Sequence, residues 1–134
     1  MRHEHTVQLR WSDPDSLGHV NHARALSLLE DARLAMLAEL PGDPGDPGNP
    51  GVILARLEVD YLRQLYYRVG ERLAVCTSVT RVGTRSFTVR QELEQDGQVA
   101  IRALAVMVMF DFTADASRGL TGAERAHWSR YLDD

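Results

Sequence analysis

The sequence contains no lysine: all 15 of its basic residues are arginine. That absence excludes Schiff-base chemistry and the lysine of a phosphate-binding loop. Arginine usage of this kind is what a GC-rich genome produces, and it leaves planar guanidinium forks suited to phosphate. The single cysteine, Cys76, cannot form an internal disulfide, which fits a reducing compartment. It sits in an apolar run, where a buried structural thiol is expected rather than a reactive one. No apolar run is long enough to span a bilayer. The polar start Met1-Arg-His-Glu-His5 lacks the apolar centre of a signal peptide. A cytoplasmic protein without a membrane partner is expected. Net charge is −4, which argues against nucleic acid as the main partner. Also missing are a Gly-x-Ser-x-Gly elbow, a Gly-rich dinucleotide fingerprint and a phosphate loop, so no cofactor is implied.

What is present fits one domain over residues 1–134. A strand is expected over 5–12, with Val7, Leu9 and Trp11 on one face. Pro14 then interrupts it, since proline lacks an N–H and disfavours helix in the residue before it. A helix of about five turns is expected over 21–40. Ala25, Leu28, Leu29, Ala32, Met36 and Leu40 recur at helical spacing, with Leu26 and Leu37 widening the stripe. Asn21 is its N-cap. Pro41-Gly42 stops it and opens a Gly-Asp-Pro repeat through Gly51. That repeat is too short for a collagen helix and reads as a solvated, partly stiff surface loop.

From Val52 the period becomes two. Leu57, Val59 and Tyr61 alternate with Arg56, Glu58 and Asp60. Further strands are expected over 73–79, 86–93 and 99–110, with a hairpin turn at Gln95-Asp-Gly-Gln98. The strand at 99–110 is apolar at nearly every position, as if buried on both faces. Thr121 and Glu124 have the spacing of a capping box for a short terminal helix. Strand, helix, then strands in meander imply an α+β fold with an antiparallel sheet.

The chemistry concentrates in Trp11-Ser-Asp-Pro-Asp-Ser-Leu-Gly-His-Val-Asn-His22. Here carboxylates stand just before a helix start, where backbone N–H groups are unpaired and the helix dipole is positive. Read alone, Asp13 and Asp15 are first of all turn and cap residues, common before a helix, and only secondly a base or nucleophile. Asp15, His19 and His22 do not have the spacing of a known metal signature, and no metal site is expected.

The run Asp13-Pro-Asp15-Ser-Leu-Gly18-His19-Val20-Asn21, followed by Glu30-Asp-Ala-Arg33, resembles hotdog-fold acyl-CoA thioesterases of the 4-hydroxybenzoyl-CoA thioesterase-like group. Val59-Asp-Tyr61-Leu-Arg63, Gly70-Glu-Arg-Leu73 and Gly83-Thr-Arg-Ser86-Phe87 extend the likeness over nearly the whole chain. The resemblance implies a hotdog fold, a long central helix wrapped by a curved antiparallel sheet of about five strands. It implies a hydrolase that splits an acyl-CoA thioester into free acid and CoA. Asp15 matches the catalytic carboxylate, as direct nucleophile or as general base. His22, with Asn21 beside it, matches the backbone N–H that polarises the carbonyl. Gly18 and His19 fall in the substrate loop. Arg85 is among the arginines near strand ends where relatives contact the nucleotide. Asp13 takes a supporting role. Glu30 is a reserve carboxylate whose plainer use is an ion pair with Arg33. Hotdog domains usually pair, so a homodimer or homotetramer is implied. The alternatives are an acyl-binding dimer without activity, and hydrolysis of an acyl-carrier-protein thioester.

Overall fold

A computed structural model describes residues 1–40 and 51–133. The Gly-Asp-Pro loop expected over 41–51 lies outside the described residues, apart from Gly51. The elements follow in the order β1 (His3–Gln8), α1 (His22–Leu37), β2 (Gly51–Tyr61), β3 (Arg72–Val82), β4 (Ser86–Gln95), β5 (Gln98–Asp111), β6 (Ala116–Ser117) and α2 (Gly122–Ser129). Strands lie in the order β1-β3-β4-β5-β2, with β6 added on β5. Every pairing is antiparallel. The fold is therefore α+β with a six-stranded antiparallel sheet, rather than about five strands. The extra strand, β6, has two residues, too few to leave a period in the sequence.

Helix α1 buries Ala25, Leu28, Leu29, Ala32 and Met36, the stripe that its spacing implies. It has 16 residues and does not run to Leu40. After Leu37 the bonds from Glu39 N to Met36 O and from Leu40 N to Leu37 O wind the chain into a tighter turn. The physical reason is Pro41, which disfavours α backbone in the residue before it. The strands β3, β4 and β5 turn one face toward the helices. Val75, Leu93 and Ala103 pack with the first half of α1. Val79, Phe87, Val89 and Met107 pack with Met36 and with Trp128 of α2.

β5 is not buried on both faces. Ala103, Ala105, Met107 and Met109 are inside, while Arg102 and Leu104 are exposed and Val106, Val108 and Phe110 half-buried. Both helices pack on the inner side, and among the described residues of one chain no layer covers the outer one. The first strand also ends earlier than expected. Leu9 is buried but Trp11 is 82% exposed. A turn closed by Asp13 N on Arg10 O breaks the alternation between them. Cys76 is half-buried rather than enclosed. Burial, with Glu4 beside it, pushes its thiol up, which keeps it protonated.

Two local expectations hold at the turn and the cap. Asp96 (φ 56°) and Gly97 (φ 72°) are both left-handed, as a two-residue turn matched to strand twist requires. Thr121 caps α2, accepting from Glu124 N while the Glu124 carboxylate accepts from Thr121 N.

Arg33 is where the helix departs from its expected partner. It does not pair with Glu30 but turns inward, 6% exposed. Its Nη1 donates to Gln91 Oε1 at 2.9 Å. Gln91 Nε2 in turn donates to the Leu29 carbonyl at 3.0 Å and to Thr77 Oγ1 at 3.3 Å. Burial lowers the proton affinity of Arg33, and the carboxamide supplies the acceptor that a buried guanidinium needs. One side chain on β4 thus ties two successive turns of α1 to the sheet. Replacing it by Gln91→Leu leaves Arg33 without its acceptor and should cost about 2–3 kcal/mol, read as a lowered urea midpoint.

Candidate active site

The stretch between β1 and α1 folds on itself around Asp13. Its carboxylate is buried and accepts from Arg10 N at 2.7 Å and from Arg10 Nη2 at 3.1 Å. Its carbonyl accepts from Asn21 N at 3.1 Å. One residue therefore ties the entry of the loop to its exit, the supporting role expected of it.

Asp15 lies at the outer part of this loop and is exposed. Its backbone N–H donates to the His19 carbonyl at 2.8 Å, and its carbonyl accepts from Gly18 N at 3.1 Å. Oδ1 accepts from Leu17 N at 2.9 Å. Among the described residues Oδ2 has no partner. Gly18 has φ +82°, a backbone that side chains with a Cβ rarely adopt. The carboxylate is thus oriented through one oxygen and open at the other.

His19 is half-buried, its ring set edge-on to Tyr66 with centroids 5.1 Å apart. Next to it Val20 N donates to the Leu65 carbonyl at 2.9 Å. These contacts fasten the loop to the segment after β2. Asn21 is committed through two of its groups: its side-chain oxygen accepts from Ala23 N at 2.9 Å and its backbone N–H goes to Asp13. That backbone N–H is not available to a ligand. His22 is different. It is the first helical residue, and among the described residues its backbone N–H has no partner. That leaves a donor at the positive end of α1.

Two tyrosines complete the surroundings. The Tyr61 ring stands edge-on to the exposed His22 ring at 6.2 Å, and its hydroxyl donates to the His22 carbonyl at 3.4 Å. Burial raises the proton affinity of Tyr61, so the phenol keeps its proton at neutral pH. Tyr66, with Arg63, Gln64 and Gln98, borders a cavity of about 300 Å³. Sequence reading placed Tyr61 on a strand face and passed over Tyr66. Neither has a motif of its own; only the bridge between His19 and Tyr66 and the pairing of β2 bring them here.

Arg85 is not in this group. It precedes Ser86 at the start of β4 and donates to the Ser117 carbonyl at 2.8 Å. The Asp15 loop adjoins the far end of that strand, where Gln95 Oε1 accepts from Tyr66 N at 3.0 Å. The ten residues of β4 separate the two by roughly 30 Å. Glu30 is exposed on α1, two turns from the helix start. Among the described residues no three His, Cys, Asp or Glu side chains come together as a metal site, and no helix is long and apolar enough to cross a membrane.

A carboxylate with one free oxygen, set before a helix that offers a free N–H, suits acyl transfer. In acyl transfer a carboxylate attacks a carbonyl carbon, directly or through water, and an N–H donor receives the developing oxyanion. The α+β architecture and this loop define a hotdog protein of the thioesterase kind. The model of the thioesterase-like superfamily matches residues 9–125, and the chain belongs to that family.

Among solved structures, a predicted thioesterase from Bacillus stearothermophilus is 25% identical, with TM-score 0.90, over 100% of this chain and 98% of that one. A thioesterase from Thermus thermophilus, complexed with coenzyme A and Zn, is 29% identical with TM-score 0.82, over 96% and 92%. A 1,4-dihydroxy-2-naphthoyl-CoA thioesterase from Synechocystis shares the fold at 18% identity and TM-score 0.82, over 96% of each chain. A comparison with curated proteins found no match.

The loop geometry makes a direct prediction. Gly18→Ala meets open space but forces a Cβ into the left-handed region. It should cost about 1–2 kcal/mol, seen as a fall of a few degrees in Tm.

Proposed function

We propose that the protein hydrolyses an acyl-CoA thioester to the free acid and CoA. The observation that carries this reading is that, among the described residues, Asp15 Oδ2 in the loop and the backbone N–H of His22 at the start of α1 are both left without a partner. Family membership supports thioester hydrolysis, and the coenzyme A in the Thermus thermophilus relative supports CoA as the carrier.

Two routes fit the geometry. In the first, Oδ2 attacks the thioester carbonyl carbon, the C–S bond breaks, and the thiolate leaves as CoA. The resulting mixed anhydride is then opened by water. In the second, Asp15 takes a proton from water, the hydroxide attacks the carbonyl carbon, the C–S bond breaks, and the thiolate leaves as CoA, taking up the proton. In both, negative charge gathers on the carbonyl oxygen, where the His22 N–H and the helix dipole stabilise it. The side chain of His22 is not needed for this, because the donor is backbone. Asn21 serves as the cap that holds the donor in place. Gly18 and His19 shape the wall against which the acyl end lies, with Tyr61 and Tyr66 beside them.

Arg85 has a place in this scheme only in an assembly. A homodimer, or a homotetramer built from it, would bring the Arg85 turn of one copy toward the Asp15 loop of another. Strand β2 supports assembly itself, since it is an edge strand with Ile53 and Leu54 exposed. Such a strand is open to pairing with another chain.

The test is thiol release from a panel of aromatic and aliphatic acyl-CoAs. Asp15→Asn should lower kcat by about 10²–10⁴-fold with far-UV circular dichroism unchanged; a fully active variant would remove Asp15 from the chemistry. Absence of turnover on every acyl-CoA would shift the reading to an acyl-carrier-protein substrate or to ligand binding alone. Arg85→Gln should raise KM for an acyl-CoA and leave that for the matching acyl-pantetheine unchanged, because only the former carries the nucleotide phosphates.

A further inference from the structure

A second polar cluster lies beyond the other end of α1. His3 from β1, Glu39 just past α1, and His127 and Tyr131 from α2 and the turn after it meet there. His3 Nε2 is 3.1 Å from Glu39 Oε1, and the Tyr131 hydroxyl donates to Glu39 Oε2. The His127 ring stands edge-on to Tyr131 at 5.7 Å and to Trp128 at 4.5 Å. Among the described residues, the buried side-chain nitrogens without a hydrogen-bond partner are His3 Nδ1, His127 Nε2 and Trp128 Nε1. All three belong to this cluster. Buried polar groups are normally paired, so their gathering in one place marks it as the weakly satisfied part of the fold.

The cluster also joins segments far apart in the chain. Trp128, fully buried, stacks on Phe87 of β4 with centroids 4.3 Å apart. Beyond α2, Val79 N donates to the Tyr131 carbonyl at 2.8 Å and Asp133 N to the Val79 carbonyl at 2.9 Å. Helix α2 is therefore held at its start by the Glu124–Arg118 pair at 2.7 Å and the Arg125 Nη2 bond to the Gly83 carbonyl at 3.0 Å, and at its end by the packed Trp128 ring, the two backbone bonds and the polar cluster.

We propose that His3, Glu39, His127 and Tyr131 form an acid-sensitive latch, which holds α2 on the sheet while His127 is neutral and frees it when His127 takes a proton. His127 is 8% exposed and its Nε2 has no acceptor. A proton there brings positive charge into a buried place already bordered by Arg130 and His3. The opposing charge, Glu39, is already engaged by His3 and Tyr131. The Met36 carbonyl and Glu39 favour the charged ring, but burial is the largest influence and holds its proton affinity below the ordinary imidazole value.

The direction in pH follows. A histidine lowered on folding stabilises the fold above its unfolded pKa, about 6.5. That contribution is lost as pH falls from there toward the folded value. Glu39 is held below the usual carboxylate range, first by the Tyr131 hydroxyl, so it stays charged while His127 titrates. Release is local, because the sheet hydrogen bonds do not depend on the cluster. This inference does not rest on the proposed hydrolysis.

The chain has two tryptophans, so Trp11→Phe leaves Trp128 as the sole reporter. In that chain, Trp128 emission should move to the red between about pH 7 and pH 5, while far-UV circular dichroism of the sheet stays constant. The His127 ring proton, followed by NMR, should titrate with the same midpoint. Adding His127→Gln should hold the emission steady until carboxylates titrate, below about pH 4.5. Three results would overturn the latch: reddening of the Gln variant at the parent's midpoint, ring titration with no change in emission, or loss of the sheet signal in the same step. The ring titration needs no His127 substitution, so it stands even if the Gln variant does not fold.

Discussion

The buried Asp13 carboxylate decides where the first strand stops and where α1 begins. A carboxylate out of water must be matched by donors, and Arg10 supplies both its backbone N–H and its guanidinium. The same residue's carbonyl takes the Asn21 N–H, so the helix cap is positioned from the strand end. The rest of the site inherits this arrangement. Asp15 is turned outward by the bonds to His19 and Leu17, and His22 is left as the first free donor of α1. Trp11 is pushed to the surface by the same turn that buries Asp13.

The helix is held a second time, from the sheet. Apolar packing of Ala25, Leu28 and Leu29 sets the face that α1 presents, but such packing tolerates small slides along the axis. The Gln91 carboxamide does not, because its bonds to the Leu29 carbonyl and the Arg33 guanidinium are directional. Asp13 at one end and Gln91 in the middle thus set the rotation and the axial position of α1. The location of the His22 N–H follows from both.

Much of this was legible in the sequence, and the reasons differ by element. The α1 stripe as far as Met36, the Asp96-Gly97 turn and the Thr121–Glu124 box are local rules, and each held. The loop motif was legible as a motif, and Asp13 took the role expected. What failed was non-local. The apolar run of β5 carries no sign of which side is covered, since that depends on where both helices land. Arg33 and Glu30 have the spacing of an ion pair, yet Gln91, 58 positions further along, takes the guanidinium instead. The resemblance placed the donor at His22 with Asn21 beside it, and the Asp13 carbonyl takes the Asn21 N–H while leaving that of His22. Tyr66 reaches His19 only through pairing across the loop.

The loop from Arg10 to His22 is closed by its own hydrogen bonds, with Gly18 in a backbone conformation few residues adopt. Its conformational entropy is therefore given up during folding, before any ligand arrives. A ligand of this loop would meet groups already ordered, and its binding energy would not be diverted into arranging them. The cost sits instead in the stability of the folded chain, where each ordered backbone residue opposes folding by roughly 1–2 kcal/mol. Flexibility would return that entropy to the loop and take it from the bound state. Thermal robustness and readiness for a ligand are, in this loop, set by the same few bonds.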